Sequence, residues 1–394
     1  MTLVDSIDRV LHDAVNAGVI PGVVALAADT AGPLYTGAFG TRDGDVAMTL
    51  DTVFNLYSMT KPLTSVAAMQ LVEQGRVGLD EPVRDALPEL GDAQVLDGFD
   101  DDGTPRLRPP QRPITLRHLL THTAGFAYHI WNADILRYHD QTGVPTISSG
   151  SKACLRSPLA GDPGERWEYG ISTDWVAQVV ERISGQSLDA YFTKHILEPL
   201  GMQDTSFVPR PDQRARLART WARLPDNSLE PLPITGAVDP DRCVGGGGLY
   251  ATGPDYLRFL RMWLGGGVLD GVRILQAGTI VEMGRNQIGD LTAGTLATAL
   301  PEVSHSVEFY PGVVKKWGLG TMLTTGALPA GHAAGSLTWG GLANTYFWID
   351  PVRQVTGVLM TQILPFADPG VLALVSDFER AIYATARDRS PAIA

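Results

Sequence analysis

Ser58-Met59-Thr60-Lys61 sets a hydroxyl and an amine three residues apart, so on a helix they share one face, one turn from each other. A serine hydroxyl is a weak nucleophile until a neighbouring base takes its proton, and a lysine serves once burial or a positive field lowers its pKa. A helix N-terminus supplies such a field. Taken alone, the same spacing describes a helix cap beside a solvated lysine. A second element, Tyr169-Gly170-Ile171-Ser172, is reached through the turn-rich run GDPGERWEYGIS and stands just before a helical pattern, so Tyr169 projects from a rigid turn. A phenol near an ammonium loses its proton more easily and can shuttle protons between the serine oxygen and a leaving group. The plainer alternative is a tyrosine packed in a loop. A third element, Ser336-Leu337-Thr338-Trp339-Gly340-Gly341, reads as a strand ending in two glycines, which lets a substrate lie close to its backbone or forms an ordinary β-bend.

These residues need elements to hold them. VFNLY leads straight into Ser58, placing the hydroxyl where a sheet edge meets a helix terminus, a junction that active sites favour. From Ser58 to Gly75 the apolar residues Leu63, Val66, Ala67, Met69, Leu71 and Val72 follow a helical pattern, with Pro62 harmless in the first turn. Before it, VVALAADT and PLYTGAFGTRD read as two short strands. From about Gly91 to Pro113 the composition turns to Asp, Gly, Pro and Arg, which predicts a surface excursion with little core of its own. ITLRHLLTHTAGF resumes a helix that ends at Gly125, and STDWVAQVVERISG and SLDAYFTKHILEPLGM read as two more. VGGGGLYAT precedes the helix PDYLRFLRMWLGGG; KWGLGTML, SLTWGG, TYFWID and QVTGVLMTQI read as strands, and VLALVSDFERAIYATA as a closing helix. The pattern is an α/β (α+β) protein whose sheet domain comes from both chain ends, residues 1–75 and 235–394, around a mostly helical insertion over 76–234.

The 394 residues, 44% hydrophobic and 19% charged, fill one large domain or two intimately packed ones. A net charge of −12 argues against nucleic acid or an anionic membrane as partner, because both need clustered Lys and Arg. The two cysteines, Cys154 and Cys243, offer neither a disulfide framework nor zinc-ligand spacing, so no metal and no cofactor is expected. MTLVDSIDRVLHDAVNAGVIPG interleaves Leu3, Ile7, Val10, Leu11, Ala14 and Val15 with Asp5, Asp8, Arg9 and Asp13, which is an amphipathic helix rather than a signal peptide. No run approaches the roughly 18 apolar residues of a membrane span, and the expectation is a cytoplasmic protein. A G-x-S-x-G pentapeptide does not occur, so a nucleophile elbow has no serine to use.

In this order and spacing, the three elements resemble the serine β-lactamase and penicillin-binding protein superfamily, in particular its class C β-lactamase-like esterase branch, the family VIII carboxylesterases. LLTHTAGF (Leu119 to Phe126), LEPLGMQDTSF (Leu197 to Phe207) and GGGGLYATGPDYLRFLRMWL (Gly245 to Leu264) extend the resemblance, which runs from about Val10 to Ile382. It implies a β-lactamase/transpeptidase-like fold, an antiparallel sheet flanked by helices beside a mostly helical domain, with the active site between them. It also implies Ser58 as nucleophile, Lys61 as its general-base partner and Tyr169 as the proton-transferring phenol, with either of the last two as dominant base. The oxyanion hole falls on the backbone N–H groups of Ser58 and Leu342, which stabilise a tetrahedral intermediate by a few kcal/mol.

Two departures from the lactamase pattern matter. Lys-Thr-Gly is replaced by Trp339-Gly340-Gly341, which removes the cation that grips a substrate carboxylate. Tyr-x-Asn becomes Tyr169-Gly170-Ile171, with Ser172 a partial replacement for the asparagine. Trp-Gly-Gly resembles the esterase branch, where the indole walls an apolar acyl pocket; Tyr128, His129 and Trp131 are expected in the same wall, and His122 is expected to be structural. The implied activity is hydrolysis of small or apolar carboxylic esters through an acyl-Ser58 intermediate. Acyl transfer to an alcohol or amine, amide or β-lactam hydrolysis, and a silent sensor that keeps the fold are the alternatives. The partner is a small-molecule ester, and the oligomeric state is left open.

Overall fold

The computed structural model describes residues 3–233, 245–329 and 331–389. Cys243 and the boundary expected between 234 and 235 lie outside these residues. Helix α1 (Leu3–Asn16) buries Ile7 and Leu11 and turns Asp5, Arg9 and Asp13 to solvent. Strands β1 (Gly22–Asp29), β2 (Pro33–Asp43) and β3 (Val46–Ala47) follow it. The short β4 (Val53–Asn55) then leads into α2 (Lys61–Glu73). From Lys61 to Leu71 every residue of α2 is buried, as expected of a helix that is mostly apolar on all sides.

The middle of the chain carries β5 (Val95–Phe99), β6 (Pro105–Arg108), α3 (Leu116–Leu120), α4 (Ala133–Thr142) and α5 (Ser172–Ser184). The excursion expected over Gly91 to Pro113 is therefore an antiparallel β5–β6 hairpin, and it does contribute to the core. Val95 and Leu96 are buried, and the Leu96 N–H donates to the Leu159 carbonyl at 2.8 Å. The expected helix through Gly125 is shorter than its pattern: α3 is capped by the Thr115 side chain, which accepts the His118 N–H, and stops at Leu120, with His122 already at φ 56°.

The last third supplies β7 (Tyr250–Thr252), α6 (Gly253–Leu264), β8 (Lys315–Trp317), β9 (Met322–Thr324), β10 (Leu337–Gly341), β11 (Thr345–Asp350), β12 (Val355–Met360) and α7 (Pro369–Arg389). Eight strands form one sheet in the order β8-β9-β10-β11-β12-β1-β2-β3 with antiparallel neighbours. The two chain ends meet inside it, where Val24 of β1 faces Met360 of β12. Successive strand residues face opposite ways. Phe347 packs on Tyr256 of α6, and Trp348 packs on Phe378 of α7, each pair with ring centroids 5.7 Å apart. Helices thus cover both faces, which is why β11 and β12 are buried from end to end, mostly apolar and without a solvent-facing alternation. This is the β-lactamase/transpeptidase fold. Among the described residues, no helix is long and apolar enough to cross a membrane.

Candidate active site

The chain enters the site along β4, which pairs with β7 in the register Phe54 to Ala251. At its end the Asn55 Oδ1 accepts the Tyr57 N–H at 3.1 Å, and Tyr57 adopts φ 43°. A left-handed conformation costs a tyrosine about 1–3 kcal/mol, and it persists only where the surroundings enforce it. Ser58 follows in a 3-10 turn (Tyr57–Thr60), and α2 begins only at Lys61, with Pro62 in its first turn. The expected pair is therefore carried by a tight turn joined to a helix. The Ser58 Oγ lies 3.0 Å from the Lys61 Nζ and 2.7 Å from the Tyr169 hydroxyl.

Lys61 has no solvent exposure, and its amine reaches three acceptors: the Ser58 Oγ, the Tyr128 hydroxyl at 3.0 Å and the Gly246 carbonyl at 2.8 Å. The Gly245–Gly248 segment is stapled over the start of α2. The Thr64 hydroxyl donates to the Gly245 carbonyl at 2.6 Å, and the Gly246 N–H donates to Asp174 Oδ1 on α5 at 2.9 Å. Burial pushes the Lys61 amine well below the usual lysine range, and the nearby Asp174 carboxylate opposes that shift. Burial likewise pushes the Asp174 carboxyl up against the pull of Lys61. Asp174 and Gly246 escaped the sequence reading. An acid in the first turn of a helix ordinarily signals only a favourable helix dipole, and a main-chain carbonyl has no sequence signature.

Tyr169 is buried and caged by aromatic rings. His122, Trp339 and Tyr128 lie with ring centroids at 4.8, 4.9 and 5.3 Å, and Trp167 stacks at 6.0 Å. Its carbonyl accepts the Tyr128 N–H at 3.1 Å, and its hydroxyl accepts the Trp339 indole N–H at 3.0 Å. Burial pushes the phenol up; its hydrogen bond to the Ser58 Oγ and the one it accepts from Trp339 oppose this without reversing it. The sequence-based expectation of a phenol that ionises more easily beside Lys61 is thus corrected: desolvation of the phenolate dominates. Burial and the Lys61 charge hold His122 far below the usual histidine range, and its Nδ1 accepts the Gly170 N–H at 3.4 Å.

A cavity of about 140 Å³ opens at Ser58 and Leu342, walled on its apolar side by Ile130, Trp131 and Ile147. Tyr128 lines it too, but its hydroxyl is engaged by Lys61, so it does more than form a wall. The placement of Trp339, Gly340 and Gly341 differs from the expected pocket wall: all three are buried, and none is among the residues lining this cavity. The Trp339 indole serves Tyr169. A Cβ on Gly341 would stand 2.2 Å from the Leu56 carbonyl oxygen, and one on Gly340 would stand 2.7 Å from the Tyr346 ring, so internal close packing demands both glycines. His129 packs on His139 at 5.9 Å and does not line the cavity either.

The family model described as Beta-lactamase matches residues 7–381. The ML-236A carboxylate methylbutanoyltransferase of Penicillium citrinum is 32% identical, over 98% of this chain and 96% of its own length. The lovastatin esterase of Penicillium rubens is 33% identical, over 95% of this chain and 97% of its own. Among solved structures, the unliganded simvastatin synthase of Aspergillus terreus superposes with a TM-score of 0.84 at 32% identity, covering 98% of this chain and all of that one (100%). A fold, a nearly full-length family match and relatives that transfer or hydrolyse acyl groups agree, and the chain belongs to the serine β-lactamase-like superfamily of enzymes.

Proposed function

We propose that Ser58 is acylated by small carboxylic esters and that water discharges the acyl-enzyme, making the protein a serine carboxylesterase. The observation that carries this reading is the Ser58 Oγ held between a buried amine at 3.0 Å and a buried phenol at 2.7 Å, at the edge of a cavity. Lys61, whose amine burial pulls down to about 7, accepts the Ser58 proton in its neutral form as Oγ bonds to the ester carbonyl carbon. The N–H groups of Ser58 and Leu342 hold the oxyanion. As the ester C–O bond breaks, Tyr169 passes a proton to the departing alkoxide and is replenished from Lys61. Water then attacks by the same route in reverse and frees Ser58.

Transfer of the acyl group to an alcohol in place of water is the second reading, favoured by the methylbutanoyltransferase among the relatives; the lovastatin esterase supports the first. β-Lactam hydrolysis is disfavoured as the main task, because Trp339 stands where a carboxylate-gripping lysine would be and spends its N–H on Tyr169. The test is a burst-phase assay with p-nitrophenyl acetate and butyrate, with intact-mass detection of the adduct, on wild type and Ser58→Ala. A burst and adduct are expected in wild type only; no adduct in wild type would overturn the reading. Adding an alcohol separates the two outcomes: a transester product in place of free acid favours transfer.

A further inference from the structure

Two cavities share a single wall. Beside the cavity of about 140 Å³ at Ser58 lies another of about 420 Å³, bounded by Trp167, Tyr169, Leu291 and Leu296, and the one residue lining both is Trp131. The indole is fixed in place. Its N–H donates to the Ser304 Oγ at 2.9 Å, Ser304 in turn donates to the His305 carbonyl at 2.8 Å, and the Trp131 backbone N–H donates to the Tyr128 carbonyl at 3.1 Å. Its ring packs against Tyr169 at 5.4 Å, Tyr128 at 5.8 Å and Phe366 at 6.1 Å.

We infer that Trp131 is the specificity-determining wall that limits the acyl group to short or branched chains, and that removing its indole joins the two cavities and admits medium-length chains. The inference rests on the acyl-Ser58 reading. The acyl group attached to Ser58 must begin in the cavity that Ser58 and Leu342 line, whose far side is Ile130, Trp131 and Ile147. A closed apolar cavity of about 150 Å³ holds a benzene-sized group; this cavity has a similar volume but is open on one side, so an acyl chain directed inward meets the indole after roughly six heavy atoms. Beyond the indole the second cavity is already present; its lining is mixed, with Leu291, Leu296 and Trp167 offering apolar surface to further methylenes beside the polar Arg166, Glu168 and Asp290. Anchoring at both the backbone and the ring nitrogen makes the wall rigid, so a longer chain cannot displace it by a simple rotation.

The experiment follows acylation by p-nitrophenyl acetate, butyrate, hexanoate and octanoate. The Ser58 Oγ–acyl bond forms, the ester C–O bond breaks, p-nitrophenolate leaves, and the Ser58 proton goes to Lys61. Burst rates and adduct masses are measured on wild type, Trp131→Ala, Trp131→Phe and Trp167→Ala. Wild type is expected to acylate at least about tenfold more slowly with octanoate than with butyrate, the scale on which pockets reject excess methylenes. Trp131→Ala should raise the octanoate-to-butyrate ratio by about tenfold or more, whereas Trp131→Phe, which keeps a ring wall, and Trp167→Ala, which enlarges the second cavity and slows both esters alike by loosening Tyr169, should keep the wild-type ratio. Should Trp131→Ala fail to fold, Trp131→Leu with a wild-type melting curve carries the same comparison, with a smaller rise. Equal rates with octanoate and butyrate in wild type, or an unchanged ratio in a folded Trp131→Ala or Trp131→Leu variant, would overturn the proposal while leaving acyl-Ser58 intact. Absence of any adduct in wild type overturns the acyl-Ser58 reading instead.

Discussion

The two sides of Ser58 are built from opposite materials. On the Lys61 side the contacts are polar: the Gly246 carbonyl, the Tyr128 hydroxyl and, one peptide further, the Asp174 carboxylate. On the Tyr169 side they are rings: His122, Trp167 and Trp339, with Trp317 packed behind against Trp339 at 4.7 Å. An amine and a phenol have nearly the same pKa in water, each about 10. Burial disfavours whichever form is charged, so it drives the amine down and the phenol up. Groups of similar strength in solution thereby become unequal, and such a separation is what assigns acid and base roles. In the proposed mechanism the base is therefore Lys61, and Tyr169 relays a proton it does not give up at rest.

Removing the base gives the largest effect. Lys61→Met keeps the length and apolar stem of the side chain and deletes the amine; the burst rate with p-nitrophenyl butyrate should fall by about 10³–10⁴-fold, near the upper end for general-base catalysis. Next comes Tyr169→Phe, which leaves Lys61 able to take the Ser58 proton and removes only the relay; its expected loss is about 10²-fold. Equal losses in the two variants would break the comparison, because they would make the phenol as essential to deprotonation as the amine. A Tyr169→Phe loss exceeding that of Lys61→Met would reverse the assignment.

How the two sides are made also explains what could be read from residues alone. Ser58 and Lys61 were legible because their relation is local, three residues within one turn. Tyr169 was legible because turn formers precede it and a helix follows. The main-sheet strands were legible because burial on both faces favours runs rich in apolar and β-branched residues. By contrast, the β5–β6 hairpin was missed because its few buried side chains, Val95 and Leu96 among them, are outnumbered by the Asp, Gly, Pro and Arg around them. Asp174 was missed because only the packing of α5 beside α2 turns a first-turn acid inward. Trp339, Gly340 and Gly341 were found, but their duties depend on neighbours more than a hundred residues away in the case of Tyr169, and on Leu56 and Tyr346 for the glycines.

Asp174→Asn tests the polar side with a smaller expected effect. The amide oxygen can still accept the Gly246 N–H, so the glycine segment keeps its anchor while the charge is lost. The carboxylate raises the Lys61 pKa, working against burial. Without it the amine falls further, so the neutral, reactive form persists to lower pH. The acid limb of the kcat/KM–pH profile should shift downward, and the loss at the optimum should be slight. The charged and titratable groups facing this pair are Tyr128, Tyr169, His122 and Cys154; burial holds His122 neutral, and burial pushes the Cys154 thiol up to about 12, so neither contributes a limb of its own in that range. An unmoved limb would show that Asp174 acts only through the Gly246 peptide.

The smallest effect is expected on the aromatic side. Trp339→Phe removes the one N–H that Trp339 gives to the Tyr169 hydroxyl and keeps a ring against Trp317. A single neutral hydrogen bond contributes about 0.5–1.5 kcal/mol, so the burst rate should fall by no more than about tenfold and the denaturant midpoint should drop by a correspondingly small amount. The phenol would still be held by its backbone bond from Tyr128 and by the His122 and Trp167 rings. A loss as large as that of Tyr169→Phe would mean that one polar contact, rather than the ring cage, aims the phenol at Ser58. The aromatic side would then depend on hydrogen bonding as much as the Lys61 side does, and the contrast between the two would reduce to their opposite pKa shifts.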